Sequence, residues 1–173
     1  MKSILYEFGG IAPGILIILS WILLWDKPTL FFYYTIGVFI DTLLNLILKG
    51  IFKQPRPLDN LREFNLALNH GKRFMFKDRV LFDIFGMPSG HAESLMFSTA
   101  FIYLSLKKTN ILYLYCLISL IAMSERVIFK FHTPLQIIVG AIVGTLFGMF
   151  MYYLSGQKVK GRISPRQDDY GPL

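Results

Sequence analysis

The apolar residues of this chain fall in long uninterrupted runs separated by polar breaks, not in the two-residue alternation of a half-buried strand. Five runs are long enough to matter: about Gly10–Trp25, Thr29–Leu48, His91–Leu106, Asn110–Arg126 and Thr133–Leu154. Crossing hydrocarbon takes about 20 apolar residues in helical conformation, somewhat fewer where the ends are embedded in protein. Lipid offers no hydrogen bonds to a bare backbone, so each run is expected to be an α-helix. The pattern therefore predicts an all-α integral membrane helical bundle with about five transmembrane helices. The breaks are Asp26-Lys27-Pro28, the long polar stretch Lys49–Gly90, Lys107-Lys108-Thr109, and Val127–His132. The third run is the least hydrophobic, and Glu93 and Gln136 fall close to span ends, where water or protein can reach them. In the last run Gly140, Gly144 and Gly148 recur every four residues, which puts them on one helix face open to close backbone approach. Intramolecular packing is the plain reading of that face; a homodimer seam is the alternative.

Composition agrees: 54% of the 173 residues are hydrophobic and 17% charged, a membrane balance. One bundle is expected over residues 1–156, followed by a polar tail over 157–173. The N-terminal run lacks a small-residue cleavage site after Trp25 and reads as a retained anchor. Cys116 is the single cysteine, so no intramolecular disulfide can form, and its place in an apolar run suits packing. The net charge of +7 sits in cations between apolar segments, where anionic headgroups or phosphates are nearer partners than nucleic acid. A membrane lipid is the expected partner, nucleic acid is not, and the oligomeric state is left open.

The chemically unusual residues gather at three span ends on one side of the membrane. The first group is Lys49-x6-Arg56-Pro57, two fixed cations at the exit of the second span; interfacial anchoring is the plain alternative. Asp41, Asn45 and Lys49 follow at i, i+4 and i+8 on one helix face, and Asp41 is expected to be a structural partner inside the bundle. The second group is Pro88-Ser89-Gly90-His91, where backbone N–H groups at a helix start make a seat for phosphate. A simple Ser cap is the alternative, against which His91 adds a candidate general acid or base. The third group is Arg126-x5-His132-x3-Gln136, with Thr133 and Pro134 giving a strong helix start. Gln136 could orient His132 through its side-chain carbonyl, or close a capping box with Thr133.

These three groups, in this order, resemble the pattern K-x6-RP, PSGH, SR-x5-H-x3-D of the type 2 phosphatidic acid phosphatase superfamily. That family includes lipid phosphate phosphatases, polyprenyl diphosphate phosphatases, glucose-6-phosphatase and soluble vanadium haloperoxidases. The resemblance runs from about Lys49 to Gly144 and departs at two places. Glu125 stands for the Ser before Arg126, a change expected to matter little because the Arg is kept. Gln136 stands for the Asp that orients the nucleophilic histidine, a variant similar to the dolichyl diphosphatase branch.

The resemblance implies a membrane phosphatase acting on a lipid phosphate or diphosphate, with a polyprenyl diphosphate as the leading substrate and phosphatidic acid or phosphatidylglycerophosphate as the alternative. A catalytically silent lipid-phosphate-binding protein is the rival from another class. It implies His132 as nucleophile forming a phosphohistidine, His91 as the acid that protonates the leaving oxygen and then activates water, and Gln136 as the orienting group. Lys49, Arg56 and Arg126 would hold the phosphate with the Ser89 and Gly90 N–H groups. No cofactor and no metal are expected, since the candidate face lacks a carboxylate cluster of the kind magnesium takes. The stretch Leu58–Met87, with Arg62, Lys72, Arg73, Lys77 and Arg79 among aromatics, is expected to cover the site or rest on headgroups, with a solvated basic loop as the plain alternative. Lys107, Lys108 and the tail cations Lys158, Lys160, Arg162 and Arg166 face away from it, placing the C-terminus in the cytoplasm and the site on the extracytoplasmic or lumenal side.

Overall fold

A computed structural model describes residues 4–57, 60–77 and 80–160. Arg79, the side chains of Lys77, Lys158 and Lys160, and Arg162 and Arg166 of the tail lie outside the described residues. Six helices are present among those described: α1 (Ile4–Leu24), α2 (Pro28–Phe52), α3 (Leu61–Asn69), α4 (Gly90–Leu106), α5 (Thr109–Ile128) and α6 (Pro134–Lys160). The last apolar helix thus continues past Gln157, where the polar tail was expected to begin. Four helices, α1, α2, α5 and α6, are long and apolar enough to cross a membrane. The protein is an integral membrane helical bundle.

The boundaries follow from local chemistry. Pro28 sits in the first turn of α2, where its missing N–H costs nothing. The exits of α2 and α4 are made by Lys53 and Lys107, both in the left-handed region at φ 48° and 53°, each donating its N–H back to the carbonyl four residues earlier. A cation there also suits the negative end of the helix dipole.

The third expected span, α4, is 17 residues long and is the inner helix of the bundle. Its low hydropathy has a physical reason: Glu93, Ser98 and Thr99 are buried against other helices and not against lipid. Hydroxyls close the gaps between helices, with Tyr34 to Ser98 at 2.8 Å and Ser20 to Tyr115 at 2.9 Å. Such interhelical bonds satisfy groups that lipid could not. Tyr34, Phe97 and Phe101 stack at the centre. Ile11, Ile18, Phe39, Leu43, Leu120 and Ile142 point outward and are exposed, as helices in lipid require.

The glycine face of α6 is covered by α4. A Cβ on Gly140 would meet the Ser89 backbone, one on Gly144 the Glu93 backbone, and one on Gly148 the Phe97 carbonyl. The rising order on both helices means that α4 and α6 run parallel and pack directly on each other, with α5 returning the chain from the end of one to the start of the other. Both N-termini therefore open at the same end of the bundle, and the glycines serve packing within the chain.

The stretch between α2 and α4 has structure of its own. Asn60 caps α3 by accepting the Arg62 N–H at 3.0 Å. Strands β1 (Phe74–Lys77) and β2 (Val80–Asp83) form an antiparallel hairpin with Phe74 opposite Asp83. Phe64 and Ala67 of α3 bury against Ile84 and Phe85, with Met75 and Phe82 alongside. Arg73 docks this unit on α2: it pairs with Asp83 at 2.8 Å and donates to the Leu46 carbonyl at 2.7 Å.

Candidate active site

The parallel arrangement of α4 and α6 brings the second and third residue groups together, and the docked hairpin delivers the first. The Ser89 N–H donates to the Gln136 carbonyl at 3.0 Å, joining the start of α4 to the start of α6. On the hairpin side, Lys49 donates to the Phe85 carbonyl at 2.7 Å and Arg56 to the Asp83 carbonyl at 3.2 Å. The carbonyls of the segment Asp83–Phe85 thus hold both cations.

His132 lies at the end of a tight turn in which the N–H groups of Phe131 and His132 both reach the Arg126 carbonyl, with Lys130 left-handed at φ 56°. Thr133 then caps α6. Its hydroxyl accepts the Gln136 N–H at 3.2 Å, while Gln136 Oε1 accepts the Thr133 N–H at 3.2 Å. That is a capping box. The same Oε1 lies 3.2 Å from His132 Nδ1, so the capping contact and the contact with His132 occur in one side chain. Its Nε2 donates to the Pro55 carbonyl at 2.9 Å, tying the Arg56 segment to α6. Gly86 gives this amide room, since a Cβ there would come within 2.9 Å of it.

The network fixes the His132 proton. Gln136 must present oxygen to the Thr133 N–H and nitrogen to the Pro55 carbonyl, which settles the amide orientation. Facing an oxygen, His132 Nδ1 must carry the hydrogen, and Nε2 keeps the lone pair. Burial, then the positive charges of Arg56 and Lys49, hold the His132 ring well below the ordinary histidine range, at about 3. A buried, neutral imidazole with a free Nε2 among cations can act as a nucleophile toward an anionic phosphorus centre.

His91 occupies the first turn of α4, and its Nε2 lies 3.3 Å from the Gly10 carbonyl of α1. A carbonyl only accepts, so Nε2 carries the hydrogen there and Nδ1 is left to handle a proton. The charges of Arg126, Arg56 and Lys49 all reach this ring. Arg126 stands on this side of the site. Its Nε contacts the Glu125 carboxylate, and its guanidinium lies 4.5 Å from the Phe131 ring centre.

The expected phosphate seat needs one correction. The Ser89 N–H is committed to Gln136 and cannot serve an anion. Ser89 does sit at the N-cap position, but its side chain makes no capping bond, and its buried Oγ has no hydrogen-bond partner among the described residues. A hydroxyl left unsatisfied costs about 1–3 kcal/mol unless something pairs with it. The donors left at this helix start are thus Ser89 Oγ and the first turn of α4 from Gly90, rather than two consecutive backbone N–H groups.

Next to His91 a cavity of about 320 Å³ runs between α1, α2 and α4, lined by Gly10, Pro13, Asp41, Thr42, Leu46 and Ser94. Asp41 is buried as expected, but among the described residues its Oδ1 has no hydrogen-bond partner. Asn45 fills the structural role instead, donating to Glu93 at 2.5 Å and to the Pro88 carbonyl at 3.4 Å. All eight residues singled out from the sequence thus face one end of the bundle. Those not singled out contribute mostly backbone: the carbonyls of Gly10, Pro55, Asp83 and Phe85, and the missing side chain of Gly86.

Known proteins share this sequence framework. The chain is 33% identical over 125 residues to lipid phosphate phosphatase epsilon 1, chloroplastic, of Arabidopsis thaliana, covering 68% of this chain and 38% of that protein. It is 31% identical to epsilon 2 of the same plant, covering 68% and 37%. It is 28% identical over 130 residues to dolichyldiphosphatase of Saccharomyces cerevisiae, covering 69% and 49%. The chain thus spans less than half the length of these relatives. No solved structure matches. The PAP2 superfamily signature matches residues 30–160, a stretch that contains all eight candidate residues, and the chain belongs to that superfamily.

Proposed function

We propose that the protein hydrolyses a lipid phosphate or diphosphate through a phosphohistidine on His132. The observation that carries this reading is the His132 ring itself: buried, neutral, its Nδ1–H fixed by Gln136 and its Nε2 lone pair free beside Lys49 and Arg56. Phosphoryl transfer asks of a protein mainly positioning and charge stabilisation. Lys49, Arg56 and Arg126, with Ser89 Oγ and the Gly90 turn, take the equatorial oxygens. His91 takes up a proton on Nδ1 as the anionic phosphate enters among the cations; His132 Nε2 then attacks phosphorus as the bond to the leaving oxygen breaks, and that oxygen takes the proton from His91 Nδ1. Water then gives a proton back to His91 and attacks the phosphohistidine, releasing inorganic phosphate and restoring His132. In this reading Lys49, Arg56 and Arg126 neutralise the developing charge, and the step uses no metal. The leaving group departs past His91, into the cavity toward Asp41 and Leu46.

The substrate we assign first is a polyprenyl diphosphate, supported by Gln136 and by the similarity to a dolichyldiphosphatase. The Arabidopsis relatives, named as lipid phosphate phosphatases, favour a second reading, phosphatidic acid or phosphatidylglycerophosphate. Phosphate release by purified protein from a lipid panel separates them. The first assignment predicts the highest kcat/KM on polyprenyl diphosphate; a preference for phosphatidic acid transfers the assignment to the second, and binding without release from any lipid leaves a silent binding protein.

For orientation, the cations at the end opposite the site, among them Lys107 and Lys108, support a cytoplasmic C-terminus and an extracytoplasmic or lumenal site. Protease added to sealed right-side-out vesicles is expected to leave the C-terminal tail intact. Cleavage of the tail from outside would reverse the assignment.

A further inference from the structure

The pair Gly9-Gly10 lies in α1, outside the segment matched by the superfamily signature, yet it touches the site twice. Gly10 supplies the carbonyl that faces His91. Gly9 is buried against Glu125: any side chain there would run into the Glu125 carboxylate. Glu125 itself is fully buried, with Oε2 on Arg126 Nε and Oε1 without a hydrogen-bond partner among the described residues.

This is an unusual place for a carboxylate. Sequestering it from water costs free energy that a single ion pair only partly offsets, and the superfamily pattern carries a Ser at this position. Its geometry explains what it does to Arg126. The carboxylate takes the Nε edge and the Phe131 ring lies 4.5 Å from the guanidinium carbon, so the guanidinium is clamped, with Nη2 beside Gly10, whose carbonyl faces His91. The carboxylate also places a fixed negative charge behind one of the three cations meant for phosphate. By contrast, Lys49 is held by a neutral backbone carbonyl.

We propose that Glu125, seated in the Gly9 notch of α1, is a positioning residue that aims Arg126 and holds down the site's affinity for phosphate, so that the product can leave. The inference rests on the phosphatase reading above. Each turnover ends with an inorganic phosphate dianion among Lys49, Arg56 and Arg126. At an effective dielectric constant of about 20, one unit charge several ångströms away changes such binding by about tenfold or more.

The test is competitive inhibition by inorganic phosphate, with direct phosphate binding by calorimetry, on folded monodisperse full-length protein. Glu125→Gln keeps an oxygen for Arg126 Nε and removes the charge; phosphate is expected to bind about tenfold tighter, with no gain in kcat. Glu125→Ser, bearing the residue of the superfamily pattern, is the second variant and is expected to shift the same way. A merely structural role predicts loss, and damage to the fold cannot produce tighter phosphate binding. Unchanged or weaker phosphate binding in both variants, beside a wild type that turns over lipid phosphate, overturns the role of Glu125 alone. A wild type that neither releases nor binds phosphate overturns the phosphatase reading and this inference with it.

Discussion

Replacing His132 by alanine is expected to lower turnover by at least about four orders of magnitude while the protein still folds. A nucleophile that carries the phosphoryl group has no substitute in the site, and its loss removes the covalent route altogether. The fold should survive, because the Thr133 cap and the backbone bonds from Phe131 to Arg126 do not use the imidazole. The same ring makes a pH prediction. A free histidine gains its proton near pH 6.5, but burial and the charges of Arg56 and Lys49 hold His132 at about 3. The ring therefore stays neutral, with hydrogen on Nδ1, as pH falls through 6 and 5. Nitrogen NMR of histidine-labelled protein without ligand reads this directly; a His132 that titrates near 6.5 would mean that the ring is wetter and less confined than described.

The second large effect is expected at Gln136. Its side chain makes three contacts at once: Oε1 serves the Thr133 N–H and His132 Nδ1, and Nε2 serves the Pro55 carbonyl. Gln136→Leu removes all three. The cap contributes about 1 kcal/mol, and a buried carbonyl left bare costs about 1–3 kcal/mol more. Turnover per folded molecule should fall by about a hundredfold, since an imidazole free to rotate spends little time with Nε2 aimed at phosphorus. Gln136→Asp separates the parts. A carboxylate can accept from His132 and stabilise its charged form, but it has no donor for Pro55 and is one methylene shorter. It should recover rate relative to leucine while leaving the Arg56 segment looser, seen as a raised KM. A leucine variant that is destabilised yet turns over fully would reduce Gln136 to a cap and leave His132 to another partner.

These contacts show how much of the site can be read from a sequence. The helices follow from run length, and the three groups from residue type at span ends, because both are local. The contacts of Gln136 were half legible: spacing allows the capping box and the His132 contact, and both form. The Pro55 bond could not be anticipated, since it joins residues 81 apart in the chain. The same holds for the Ser89 N–H, which looks like a free donor until the Gln136 carbonyl is seen beside it. The α3–hairpin unit is hidden for another reason. Its strands are four residues each, too short for a period, and its stability comes from Phe64 and Phe85 packing across the unit. Glu125 reads as a tolerable replacement for Ser; only the notch at Gly9, more than a hundred residues earlier, shows that the chain has built a place for it.

The central claim is a phosphoryl group carried on His132, and rapid-quench labelling with radioactive substrate tests it most directly. Wild-type protein should form an acid-labile, alkali-stable phosphate adduct within one turnover. His91→Ala, lacking the group that activates water, should accumulate it, and His132→Ala should form none. Acid-labile label on the His132→Ala protein, or turnover by the wild type with no adduct at any quench time, would contradict the account.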